Sequence, residues 1–263
     1  MAFELSPVSR ARSKGVRDYQ EDRYFTASMP EGLCFGVFDG HGGTGCANKA
    51  VRLFPGLMAD AVGEPGATVP DAFRESFAKL NEVTKHMYDG CTASIAFIPW
   101  SGELVHVAVL GDSPVILQRA DRSIWVAPDH NVRSNQAEVE AAKKRGGAVV
   151  GGYLVAHFSG PGLQMSRALG DVELGSVLNR TPDVSTHVLG LGSFVLVCTD
   201  GALDPGHKDA GASAQTVVQL IQAGSEARAI VNRAIHLPTE DNVTVLLVRI
   251  ATKEDPCTHK EPE

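Results

Sequence analysis

Several large classes of protein are excluded by what this chain of 263 residues lacks. No run approaches the roughly 18 consecutive apolar residues of a membrane helix, so no membrane association is expected. Met1 to Lys14 has no apolar segment of the kind that drives secretion, and a cytoplasmic protein is expected. The two sequons, Asn179-Arg-Thr and Asn242-Val-Thr, therefore read as accidental. The five cysteines, Cys34, Cys46, Cys91, Cys198 and Cys257, are odd in number and include no Cys-x-x-Cys pair. They read as small core residues in a reducing compartment. No His-Glu-x-x-His or cysteine cluster offers a zinc site. Basic residues are in deficit, with 24 Lys and Arg against 31 Asp and Glu and a net charge of -7. That balance argues against a nucleic-acid partner, which calls for a basic face. There is no internal repeat and no long low-complexity linker.

What is present reads as short apolar strands broken by turns, with helices in blocks. Leu33 to Phe38 predicts a buried strand entering a tight loop at Asp39-Gly40. Helical spacing follows over Cys46 to Ala61, and a second helix is expected over Asp71 to Tyr88 with Pro70 at its first turn. Strands are expected over Thr92 to Ile98, Leu104 to Leu110, Val115 to Arg119, Phe194 to Cys198 and Val243 to Ile250. Further helices are expected over Asn135 to Arg145, Ala214 to Gln222 and Ser225 to Ala234. Gly151 to Leu163, rich in glycine, reads as irregular hairpins or a mobile loop. Lys143-Lys144-Arg145 reads as a solvated helix end, and 253–263 as a disordered, charged tail. This order implies an α+β protein of antiparallel sheets layered with helices, without the strand–helix alternation of a doubly wound fold.

The chemistry sits at the strand ends. Asp39, Asp112 and Asp200 each follow an apolar strand and adjoin glycine, Asp241 just precedes a strand, and Glu21-Asp22 lies ahead of the first clear one. A single Asp-Gly is ordinarily a turn. Repetition at strand ends suggests instead that the carboxylates converge. Clustered carboxylates repel one another unless cations neutralise them, and hard oxygen ligands suit Mg2+ or Mn2+.

Ordered fragments extend this pattern: Gly15-Val-Arg17-Asp-Tyr-Gln-Glu21-Asp22, Phe38-Asp39-Gly40-His41-Gly42-Gly43, Gly111-Asp112-Ser113, Asp129-His130-Asn131, Ser166-Arg167-Ala168-Leu169-Gly170-Asp171, Thr199-Asp200-Gly201 and Asp241-Asn242-Val243-Thr244. Together they resemble the metal-dependent protein serine/threonine phosphatases of the PPM group, the type 2C phosphatases. The resemblance implies a four-layer α-β-β-α sandwich forming one catalytic domain over 1–252. It implies a monomer acting on phosphorylated proteins, by direct attack of a water that bridges two ions. Asp39 would bridge those ions, with the Gly40 carbonyl on one. Asp200 and Asp241 would serve the other, and Glu21 and Asp22 would act mainly through metal-bound water. Asp112, with Asp200, would hold a third, weaker ion. Arg17 matches the phosphate-gripping arginine and His41 the proton donor to the leaving alcohol. The chemistry wants these types independently: a guanidinium grips phosphate as a bidentate fork, and histidine donates protons near neutral pH.

The sequence departs from the family where Pro114 replaces the arginine usual after Gly-Asp-Ser and Gln20 replaces a frequent asparagine. Arg167 could contact phosphopeptide or hold the fold. A non-catalytic phosphoprotein-binding relative and a small-molecule phosphatase with the same metal site are the alternatives.

Overall fold

The computed structural model describes residues 3–157, 160–203, 210–237 and 239–252. Two antiparallel sheets stack face to face. One runs in the order Phe3–Leu5, Val243–Thr252, Phe194–Cys198, Val115–Gln118, Ile124–Val126, with Ser9–Ser13 also paired to the long Val243–Thr252 strand. The other runs Asp183–Val188, Leu104–Leu110, Ala93–Pro99, Gly32–Phe38, Arg23–Ser28. Helices Gly45–Gly63 and Val69–Thr84 cover the outer face of the second sheet. Helices Ala210–Gln222 and Ala227–His236 cover the outer face of the first. The four layers are those expected.

Burial on both faces explains why the central strands read as continuous apolar runs instead of alternating with polar residues. In Gly32–Phe38, Phe35 and Val37 enter the core between the sheets, while Cys34 and Phe38 enter the core under the helices. The four cysteines within the described residues are buried free thiols, as expected of core residues. Among the described residues no helix is long and apolar enough to cross a membrane.

The second helix ends at Thr84, short of the expected Tyr88. The Thr84 hydroxyl donates back to the Leu80 carbonyl. Beyond it, Gly90–Cys91 is drawn into a small sheet between Gly40–His41 and Leu169–Gly170. The Asp89 carboxylate meanwhile accepts from the Cys46 N–H at the start of the first helix, at 2.9 Å. Tertiary partners thus take those residues away from the helix. The glycine-rich region forms a three-stranded sheet of Ala148–Val150, Tyr153–Val155 and Gly162–Leu163. Its own small core includes Val139, Ala142, Leu154 and Leu174. The basic helix end is not wholly solvated, because Arg145 Nε donates to the Val177 carbonyl at 2.9 Å. The tail over 253–263 lies outside the described residues, as does Cys257.

Candidate active site

The strand ends meet in one cleft of about 230 Å3, lined by Arg17, Glu21, Asp39, Gly40, His41, Asp112, Asp200 and Asp241. Tyr153 and Leu163 reach it from the small three-stranded sheet, and Gln164 and Met165 from the segment just after it. Asp22 lies beneath, 1% exposed. Every site residue expected from the sequence is therefore brought to one place.

Pairing of the strands does this. Asp39 leaves Gly32–Phe38 with its backbone tied to Thr92: its N–H donates to Thr92 Oγ1 at 3.3 Å, and its carbonyl accepts from the Thr92 N–H at 2.9 Å. Gly40 packs so closely on the Glu21 carbonyl that a Cβ there would sit 2.6 Å from its oxygen. Asp200 leaves Phe194–Cys198, whose partner strand begins just after Asp241, and the Thr199 N–H donates to the Thr244 carbonyl at 3.0 Å. Asp112 follows Leu104–Leu110 and accepts from Asn131 Nδ2 at 2.9 Å. The Gly111 N–H donates to Nδ1 of the fully buried His130 at 3.0 Å.

The carboxylates strain against one another electrostatically. Burial first, then the charges of Asp22, Asp200, Asp241 and Asp112, pushes the Asp39 carboxyl well above the usual range. Burial, then Asp112, Asp241 and Asp22, does the same to Asp200. Asp22 is pushed up to about 6, mainly by burial, although Thr244 and Thr199 donate to its Oδ2 at 2.7 and 3.1 Å. Asp112 is likewise pushed to about 6 by burial and by Asp129. Two of these oxygens, Asp22 Oδ1 and Asp200 Oδ1, are buried without a hydrogen-bond partner among the described residues. An orphaned buried carboxylate oxygen is costly and calls for a cation. The all-oxygen donor set fits a hard divalent ion. No preformed three-ligand shell is drawn together among the described residues. One reason is visible: an Asp241 oxygen is engaged by Arg17 Nη2 at 2.9 Å.

Arg17 also donates from Nε to the Glu240 carbonyl at 2.6 Å. These two bonds leave three of the five guanidinium N–H groups without a partner among the described residues. His41 Nε2 lies 3.0 and 2.9 Å from the two oxygens of Asp171. Burial alone would lower the His41 pKa, but the hydrogen bond and charge of Asp171, helped by Asp112 and Glu21, raise it.

These features place the cleft, and the whole chain sides with them. The family model described as Protein phosphatase 2C matches residues 10–243. The chain belongs to the protein phosphatase 2C family. Its domain is a protein phosphatase domain of the metal-dependent kind. It is 29% identical over 258 residues to probable protein phosphatase 2C 69 of Arabidopsis thaliana, covering 93% of this chain and 70% of that one. It spans smaller shares, 38% and 55%, of two rice relatives matched at 29% and 30% identity. Serine-threonine phosphatase 2C from Toxoplasma gondii shares the fold, with a TM-score of 0.71 at 20% identity over 92% of this chain and 94% of that one. So does the catalytic domain of the phosphatase PstP in complex with two manganese ions, with a TM-score of 0.61 at 20% identity over 95% of this chain and 100% of that one.

Within this phosphatase 2C domain, several motif residues to which the sequence alone assigns no role organise the cleft. Asn242, 3% exposed, accepts the Glu21 N–H at 2.7 Å and donates to the Lys14 and Tyr19 carbonyls at 2.8 and 2.9 Å. It fastens the loop carrying Arg17 and Glu21 to the turn that carries Asp241 into the strand Val243–Thr252, and is no sugar acceptor. Thr199 and Thr244 hold Asp22, His130 and Asn131 hold the Asp112 loop, and Asp171 holds His41. The sequence marks these residues as motif members, but their partners lie far away along the chain. Arg167 belongs to the fold. It bonds Glu138, Asp183 and the Thr181 carbonyl, with its side chain 13% exposed.

Proposed function

We propose that this chain hydrolyses phosphoserine and phosphothreonine on proteins with bound Mg2+ or Mn2+. Two core ions would be held by Asp39, the Gly40 carbonyl, Asp200 and Asp241, with Glu21 and Asp22 supporting them. Asp112 and Asp200 would hold a third, weaker ion. Bound ions of this kind supply an activated water and neutralise charge growing on the phosphoryl oxygens. The chain's own residues bind and orient the rest. Free N–H groups of Arg17 grip phosphate oxygens in a fork. His41 gives a proton to the serine or threonine oxygen as its bond to phosphorus breaks, a step an alkoxide leaving group needs.

One observation carries this reading: carboxylates at the ends of separate strands crowd a single cleft, two of the cluster's oxygens have no partner among the described residues, and a guanidinium and an imidazole stand beside them. PstP, which shares the fold, was solved with two manganese ions, and that supports the choice of metal. Pro114 lines a neighbouring cavity of about 740 Å3 that shares Asp112 and Asp200 with the cleft. Its ring takes away none of the carboxylates.

The test is hydrolysis of a phosphoserine peptide by the purified protein with Mn2+, followed by excess chelator. Turnover that stops on chelation and returns with metal is expected. Turnover indifferent to chelator overturns the metal reading. Turnover of sugar phosphates or nucleotides far above that of phosphopeptide moves the substrate class to small molecules.

A further inference from the structure

His41 does not stand alone in the cleft. Its Nε2 lies against both oxygens of Asp171, at 3.0 and 2.9 Å. An ionised carboxylate only accepts, so this nitrogen carries a proton, and Nδ1 is left over. Among the described residues Nδ1 has no hydrogen-bond partner. The Asp171 side chain is 9% exposed and that of His41 24%, so Asp171 is the inner member of the pair.

The backbone is shaped around this contact. In the small sheet, Gly90 lies between His41 on one side and Gly170 on the other. A Cβ at Gly90 would collide with both Asp171 Oδ2 and His41 Nε2. The pair thus fills the space over the central strand that a side chain would otherwise occupy. Asp171 itself adopts a left-handed conformation, with φ of 51°. A non-glycine residue there is uncommon and is held in place by its surroundings. Its N–H donates to the Asp89 carbonyl at 3.2 Å and its carbonyl accepts from the Leu174 N–H at 3.0 Å. A plainer role is available, since Asp171 is the residue preceding the short helical turn Val172–Val177. Its side chain makes no capping bond there. The carboxylate is turned to His41 instead.

We infer that Asp171 is a positioning residue for the hydrolysis: it holds the His41 ring by Nε2 so that Nδ1 is the nitrogen presented to the substrate's leaving oxygen. This rests on the reading of His41 as proton donor. Asp171 is not among the residues that line the cleft. Its contribution passes entirely through the imidazole, as in metal sites where a carboxylate fixes the tautomer and orientation of a ligating histidine.

A double-mutant cycle tests it. Asp171→Asn, His41→Ala and the double variant are assayed on a phosphoserine peptide and on para-nitrophenyl phosphate. Asp171→Asn should lower kcat on the peptide by about 10-fold or more, with KM little changed and a smaller loss on the aryl ester. In the His41→Ala background it should cost nothing further. An equal additional loss in that background overturns the positioning role, because Asp171 then acts without His41. If His41→Ala itself slows both substrates equally, the proton-donor reading falls. The cycle still shows whether Asp171 works through the ring. A second measurement needs no variant to fold: nitrogen NMR of the wild-type protein with Mg2+, at a pH where His41 is neutral. The proton should sit on Nε2, and a neutral ring protonated on Nδ1 overturns the inference.

Discussion

Stripped of divalent ions, the folded chain should become less stable as pH rises from about 4 to neutral, the reverse of ordinary acid denaturation. The cause is the carboxylate cluster. Asp22 and Asp112 are each carried from 3.8 to about 6 in the folded protein, chiefly by burial. The folded state therefore binds more protons than the unfolded state in this window, and stability must fall with rising pH. A shift of that size costs about 3 kcal/mol per carboxyl once both states are ionised, and about 2 kcal/mol of it accrues between pH 4.5 and 7. Because these groups share one field, the two costs do not simply add. Asp39 and Asp200, held well above the usual carboxylate range by burial and by their neighbours, act in the same direction. Asp183, held down to about 2 first by the hydrogen bond from His130, works oppositely. Its stabilisation is lost only below pH 4, outside the window. The assay is urea denaturation in chelator at pH 4.5, 6, 7 and 8, repeated with Mn2+. Unfolding free energy should drop by about 2 to 4 kcal/mol from pH 4.5 to 7 without metal, and Mn2+ should restore more at pH 7 than at 4.5. Asp112→Asn should flatten the metal-free profile, since its amide oxygen can still accept from Asn131. A metal-free profile that is level or rises toward pH 7 refutes the idea that these carboxylates are mutually frustrated.

Asp39→Asn should abolish phosphate release more completely than any other single ligand change and remove both core ions, read by calorimetry. Two tight sites surviving with near-normal turnover would sink the bridging role. Asn242→Ala removes three partly buried hydrogen bonds and should cost about 3 kcal/mol of stability, together with metal affinity, because the loop bearing Glu21 loses its anchor. Unchanged metal titration in that variant would separate the anchor from the site. Arg167→Ala breaks a largely buried pair with Glu138 and should lower stability by about 3 kcal/mol, leaving KM for phosphopeptide nearly unchanged. A raised KM with normal stability would return Arg167 to substrate binding.

The sequence by itself determined the class of the fold and the ligand chemistry. Strands such as Leu104–Leu110 and Phe194–Cys198 were legible to the residue, because short apolar runs bounded by glycine and aspartate have few other readings. The motif aspartates were legible for the same reason: carboxylates repeated at strand ends make poor packing residues and good ligands. Short, polar or edge elements such as Ser9–Ser13, Arg23–Ser28 and Asp183–Val188 were not legible, since their strand character comes from neighbours remote in sequence. Partnership was decided only by tertiary structure. Nothing local tells Asp171 to lie over Gly90 against His41, Asn242 to bind a loop at Lys14 and Tyr19, or Arg167 to face Glu138 instead of solvent. The reason is physical. A polar side chain commits to a partner only when burial removes water as the alternative, and which groups lose their water together is settled by how the two sheets stack.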